Sequence, residues 1–236
     1  QPDLVCGTSI GSVNGAMIGM GWDADRMSGV WESLQRKQAF RVSFWRRLKY
    51  RIDTWRGRHP RFPAYLDNQP LQELLTSGVD EPRLQDLSPE VLVTATNVRR
   101  AELEYFSGHQ LTARHILASC SIPVVFPWQE IDGELYWDGG VMENTPILPA
   151  LMRGAREIIV VLLAPLTAEP TPAPRTTTEA LAWTMDIITI GSAKALRTQL
   201  AHHMGKDTRE IADTMSSLNY VEFGGARISV VAPRQA

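Results

Sequence analysis

The chain opens on an apolar strand pattern that runs straight into a glycine-flanked serine. Leu4-Val5-Cys6 leads into Gly7-Thr8-Ser9-Ile10-Gly11, and helix-forming sequence follows from Ser12 to Met20. A strand, a Gly-x-Ser-x-Gly turn and a helix in that order form the pattern of a nucleophile elbow. Each part has a chemical reason. A serine hydroxyl is a weak nucleophile that must be held clear of other side chains and beside a base. A sharp turn does this, and Gly7 and Gly11 supply positions with no side chain to crowd it. The helix that follows points its first N–H groups, Ile10 foremost, and its positive dipole end toward the place where an oxyanion would form.

The rest of the chain alternates strand and helix patterns, the mark of an α/β architecture. Helical spacing runs from Asp23 to Gln38, with Val30, Trp31 and Leu34 on the core side. Asn68-Gln69-Pro70 opens another helix that Gly78 stops. Val91–Ala95 reads as a buried strand and Leu103–Phe106 as a second. Thr112 caps a short helix ending at Cys120. Trp128–Ile131 and Glu134–Trp137 flank Asp132-Gly133, a strong hairpin signal. Glu157–Leu163 is continuously apolar, as in the middle of a parallel sheet. Residues 164–178, rich in Pro and Thr, read as a linker or surface loop. A helix from Glu179 to His203 and a strand at Ile228–Val231 close the pattern.

Composition narrows the function classes. With 236 residues, 44% hydrophobic and 21% charged, the chain can build one sizeable core. A net charge of −2 gives no reason to expect nucleic-acid binding. No apolar run reaches membrane-spanning length. Cys6 and Cys120, in apolar surroundings, read as two buried free thiols. His202 and His203 are adjacent, whereas two ligands on one helix face would stand three or four residues apart, so no metal site is expected.

A second chemical feature is Trp137-Asp138-Gly139-Gly140. It places a carboxylate at a strand end, followed by a tight turn. By itself an Asp-Gly-Gly is most often only a turn. Its context makes it specific. In order the chain carries Gly7–Gly11, Val93-Thr94-Ala95-Thr96-Asn97, the run Ala118–Pro127, and Asp132–Pro146 with Asn144 behind Asp138-Gly139-Gly140. This order resembles the patatin-like phospholipase family over most of residues 3–163, and much less beyond the Pro/Thr stretch.

The resemblance implies a single domain over 1–236 with its core in 3–163. It implies a three-layer α/β/α fold with a mainly parallel central sheet. It implies a Ser–Asp dyad, with Ser9 the nucleophile and Asp138 the general base, Gly139 and Gly140 forming the turn that supports it. Such proteins hydrolyse acyl esters of lipids, phospholipids or acylglycerols, without cofactor or metal. An ordinary aspartate, with pKa about 3.9, is a poor base at neutral pH, so the site should be dry enough to raise it. Trp137, Val141 and Met142 are the apolar residues nearest in sequence. Family members also carry a Gly-rich oxyanion loop after a first strand upstream of the elbow. Six residues precede Gly7 here, so the expected fold lacks that strand and loop, leaving the Ile10 N–H as one donor.

Residues 40–62 hold eight Lys or Arg and one acid, Asp53. On a helical wheel Phe44, Trp45, Leu48, Ile52 and Trp55 fall within about 100° of arc. A basic amphipathic helix with tryptophans suits an anionic lipid surface, and a core-packed helix with a solvated charged face fits equally well. The first reading makes the chain a cytoplasmic or peripheral membrane protein of bacterial type. Two other classes stay open. One is an α/β-hydrolase in the chain order Ser9, Asp138, then His202 or His203. The other is a membrane-binding pseudo-hydrolase.

Overall fold

The computed structural model describes residues 2–33, 41–42, 66–67, 71–72, 75, 84, 86–163, 173–216 and 220–233. The chain divides into two compact units, Gln1–Met142 and Glu143–Ala236.

The first unit is built on β4 (Glu90–Asn97), every residue of which from Val91 to Asn97 is buried. Burial on both faces is what the middle layer of an α/β domain requires. Along one side of β4 lies β5 (Glu102–Ser107), antiparallel, from Leu92↔Ser107 to Asn97↔Glu102. The other side is shared by two strands. β1 (Leu4–Gly7) runs parallel to the first half of β4 and ends with Gly7 opposite Val93. β7 (Glu134–Asp138) runs antiparallel to the second half and ends with Asp138 opposite Ala95. β1 and β7 therefore run toward each other along one edge and stop on either side of Thr94. β6 (Gln129–Ile131) completes the sheet as the hairpin partner of β7. A two-stranded pair, β2 (Arg41–Val42) with β3 (Leu66–Asp67), stands apart.

The α/β class is borne out, and the pairing corrects one detail. Among the described residues this sheet is mixed rather than mainly parallel, because β1–β4 is its one parallel pairing. The cause is local. Short turns after Asn97 and at Asp132-Gly133 can join only antiparallel neighbours. Asp132 (φ 51°) and Gly133 (φ 80°) both take the left-handed conformation that a two-residue hairpin demands.

α1 (Ile10–Gly19) and α3 (Ala113–Ser119) cover the same sheet face. Val13, Ala16 and Met17 from α1 meet Val91 and Val93 from β4 and Ile116 and Leu117 from α3 in one core. Ala118 of α3 packs with Ala95, Ile131 and Tyr136. Thr112 caps α3 as expected, in a capping box with His115. α2 (Ala24–Ser33) begins where Asp23 Oδ1 accepts the Arg26 N–H, and Val30 and Trp31 pack on the first core. Leu34, and most of the helix expected over Asn68–Gly78, lie outside the described residues. Leu71 and Leu75, four apart, are buried in the first core.

The second unit contains α4 (Leu148–Met152), β8 (Glu157–Val161), α5 (Thr177–Met204), α6 (Thr208–Ser216), β9 (Val221–Phe223) and β10 (Ala226–Val231). Its sheet has the order β8-β10-β9, with β10 parallel to β8 and antiparallel to β9. Val160, Leu200, Ile211, Val221, Ile228 and Val230 form its core. α5 starts at Thr177, inside the stretch read as linker, because Thr176 and Glu179 form a capping box there. The apolar run Glu157–Leu163 is a parallel strand, but not a buried one. Ile158, Val160 and Leu162 face the core, while Ile159 and Val161 point the other way and are 72% and 71% exposed. Among the described residues no helix is long and apolar enough to cross a membrane.

Candidate active site

The head-on arrangement of β1 and β7 brings Ser9 and Asp138 to one place. Ser9 is the residue before α1 and has φ 55°, ψ −127°. For a non-glycine residue this is a strained conformation, of order 1–3 kcal/mol, held only where surrounding structure fixes it. Several contacts do so. The Gly11 N–H bonds Thr8 O at 2.8 Å and the Ser12 N–H bonds Ser9 O at 2.9 Å. The Ser12 hydroxyl donates to the same Ser9 carbonyl at 2.6 Å. The Ser9 N–H donates to Ser119 Oγ at 2.9 Å.

Gly7 is required here by space. A Cβ on it would fall onto the Gly11 carbonyl and within 2.7 Å of the Ser12 nitrogen. Gly11 differs from expectation, since among the described residues nothing stands within 4 Å of where its Cβ would be. Ile10, the first residue of α1, packs partly into the core while its amide belongs to the helix's free first turn.

Asp138 sits at the end of β7, before a short 3-10 turn over Gly139–Val141. Its backbone is fixed on both sides. Its N–H donates to Ser121 O at 2.9 Å, and its carbonyl accepts from the Thr96 hydroxyl at 3.0 Å. Oδ1 accepts the Gly140 N–H at 2.7 Å. Gly139 lies flat against β4, where a Cβ would strike the Thr94 hydroxyl and come within 2.8 Å of Thr94 O. The same Thr94 hydroxyl pairs with Thr8 Oγ1 at 2.7 Å. One buried threonine thus braces the residue before Ser9 and the residue after Asp138.

The carboxyl of Asp138 is buried at 4% exposure. Burial raises its pKa to about 7, against the smaller, opposing effects of the Ser9 hydroxyl and the Gly140 N–H, which favour the ionised form. The Ser9 side chain is therefore close enough to act on the carboxyl. Among the described residues the buried Oδ2 has no hydrogen-bond partner. Val141 and Met142 are exposed and do not shield the group. Cys120, a free buried thiol 3.9 Å from Ser12 Oγ, is inert by comparison. Burial first, and the Asp138 charge second, push its pKa well up. Cys6, also outside any disulfide, is half-buried and not buried as expected.

A serine on a strained strand-to-helix turn, beside a dry carboxyl with one open lone pair, is a candidate site for acyl transfer. Residues 1–151 match the family model described as patatin-like phospholipase, and the chain belongs to that family. Curated relatives agree. A cGAMP-activated phospholipase of Pseudomonas aeruginosa is 28% identical over 155 residues, covering 61% of this chain and 44% of the relative. Lysophospholipase NTE1 of Candida glabrata is 27% identical over 160 residues, covering 67% of this chain and 9% of the relative. NTE1 of Meyerozyma guilliermondii is 29% identical over 164 residues, covering 67% and 10%. The matched stretch thus spans less than half the length of these relatives.

Phe44, Trp45, Leu48, Ile52 and Trp55 lie outside the described residues. His202 and His203 end α5, with the His203 ring edge-on to Phe223 at 5.7 Å. His115, buried in the first unit, is tied to Thr112, and burial lowers its pKa to about 4. Among the described residues no group of three or more His, Cys, Asp or Glu could hold a metal ion. The sequence reading gave no role to Ser119, Ser121 or Thr94. The available signal was small hydroxyl residues interrupting an otherwise apolar helix end and strand.

Proposed function

We propose that this chain carries a lipid acyl hydrolase site working through a Ser9–Asp138 dyad and an acyl-enzyme. The observation that carries this reading is the Asp138 carboxyl, lifted toward pH 7 by burial and acted on by the Ser9 hydroxyl. Family membership supports the lipid ester as substrate class.

The chemistry runs in two halves. Ser9 Oγ attacks the ester carbonyl carbon as its proton passes to Asp138 Oδ2. The tetrahedral oxyanion takes a hydrogen bond from the Ile10 N–H at the positive end of α1. As the C–O bond to the leaving alcohol breaks, Asp138 returns its proton to that alcohol, and the acyl group stays on Ser9. Water then enters, gives its proton to Asp138 and attacks the acyl carbonyl. The fatty acid leaves and Ser9 recovers its proton. Oδ1 keeps its bond to Gly140 throughout and fixes the carboxyl plane. The basic aromatic run 40–62 is proposed as the surface that docks the chain peripherally on anionic lipid, on its sequence alone.

The test is turnover of lysophospholipid and of a short soluble ester. S9A and D138A should each lose at least a thousandfold, and the H202A/H203A double variant should keep activity within a few-fold. Loss of activity in the histidine variant would favour a Ser-Asp-His triad instead. Activity retained in S9A would refute the proposal.

A further inference from the structure

The segment Ser119-Cys120-Ser121 touches both candidate catalytic residues from behind. Ser119 Oγ accepts the Ser9 N–H at 2.9 Å. Two residues on, the Ser121 carbonyl accepts the Asp138 N–H at 2.9 Å. Between them Cys120 lies against the Ser12 hydroxyl, which itself holds the Ser9 carbonyl. All three are buried, and Ser119 and Ser121 are fully so. The segment is held to its own helix end, with the Ser121 N–H donating to Ala118 O at 3.0 Å and the Ser121 hydroxyl to Leu117 O at 2.8 Å, so it acts as a spacer between Ser9 and Asp138.

The two attachments differ in kind. The bond from Asp138 is to a backbone carbonyl, which any residue at 121 would supply. The bond from Ser9 is to a side-chain oxygen, which depends on the residue at 119. Ser119 also meets the strained residue itself. A helix-end serine whose hydroxyl leaves its own helix to accept the amide of Ser9 fixes the conformation that holds the nucleophile's hydroxyl toward Asp138.

Resting on the dyad reading above, we infer that Ser119 is a positioning residue for the reaction, holding Ser9 in the geometry needed for attack without touching substrate. Misplacing a reacting atom by about 1 Å costs on the order of 100-fold in rate. Losing the Ser119 oxygen should therefore slow acylation roughly 10- to 100-fold and leave ground-state binding unchanged. The pH dependence should keep its midpoint closely, because burial, the largest cause of the raised Asp138 pKa, is unchanged.

The experiment uses the full chain in wild-type, S9A, S119A and S119C forms. It reads the rate of labelling by a fluorophosphonate probe per folded molecule, and kcat and KM on a short p-nitrophenyl ester from pH 5 to 9. The expected order of labelling rates is wild type, then S119C with its weaker sulfur acceptor, then S119A. KM should stay within twofold and the pH midpoint should not move. Folded S119A that labels at the wild-type rate overturns the inference, as does a loss seen only in KM. If S119A fails to fold, S119C carries the same comparison at nearly unchanged volume. Wild type that labels no faster than S9A would instead refute the dyad reading and the inference with it.

Discussion

The Gly140 N–H donates to Oδ1 of Asp138 at 2.7 Å, while the buried Oδ2 has no hydrogen-bond partner among the described residues. The two oxygens of one carboxyl thus have different tasks. One is an anchor that sets the plane of the group. The other is an open lone pair in a dry place beside Ser9. A buried carboxylate with both oxygens satisfied would be a structural ion with a depressed pKa. Here burial dominates and the pKa rises to about 7.

In the proposed dyad that value sets the pH dependence of the reaction. A base must be ionised to act, so kcat/KM should climb as Asp138 loses its proton and level off above about pH 8. Below pH 6 it should fall close to tenfold per pH unit. A profile on a soluble ester checks this. A midpoint near 4, the ordinary carboxylate range, would mean that burial does not tune the base.

The same burial should cost stability. Asp138 binds its proton more tightly folded than unfolded. Stability is therefore undiminished below pH 4, falls as pH rises through the interval from 3.8 to about 7, and stays reduced above it. The full penalty is roughly 4 kcal/mol. D138N carries no charge and can keep the Gly140 bond. Its melting temperature should exceed the wild type's at pH 8 by several degrees, and the difference should shrink toward zero by pH 4. Thermal melts of both proteins across that range test it.

The glycines of the site should separate by space. G7A drives a Cβ into the Gly11 carbonyl and G139A drives one into Thr94, both against backbone. Each should destabilise by more than about 2 kcal/mol or displace its turn, with loss of activity. G11A meets open space among the described residues and lies in the first turn of α1. It should leave stability unchanged or raise it by about 0.5 kcal/mol. Denaturant midpoints with constant m-values distinguish these outcomes.

The elements carrying the site were legible in the sequence because each has a strong local cause. The hairpin at Asp132-Gly133, the Thr112 cap and the strand-turn-helix at Ser9 all depend on residues within a few positions of one another. Ser9 and Asp138 themselves were found by motif and by family resemblance. What local patterns could not reveal is how they meet. That depends on β1 and β7 stopping on either side of Thr94, a fact of strand pairing across more than 80 residues. Ser119 was missed for the same reason, since its partner lies 110 positions away. The strand Glu157–Leu163 shows the opposite error. Its unbroken apolar run suggested burial on both faces, but only the face of Ile158, Val160 and Leu162 packs on the core, because what covers a strand's second face is set by other elements and not by the strand's own sequence.

The most direct test of the dyad is to map the adduct. Wild-type chain treated with a fluorophosphonate, digested and read by peptide mass spectrometry should carry one modification, on Ser9, formed at a rate that falls at least a hundredfold in D138N. A modification on another serine, or one on Ser9 whose rate is unaffected by D138N, would contradict the account.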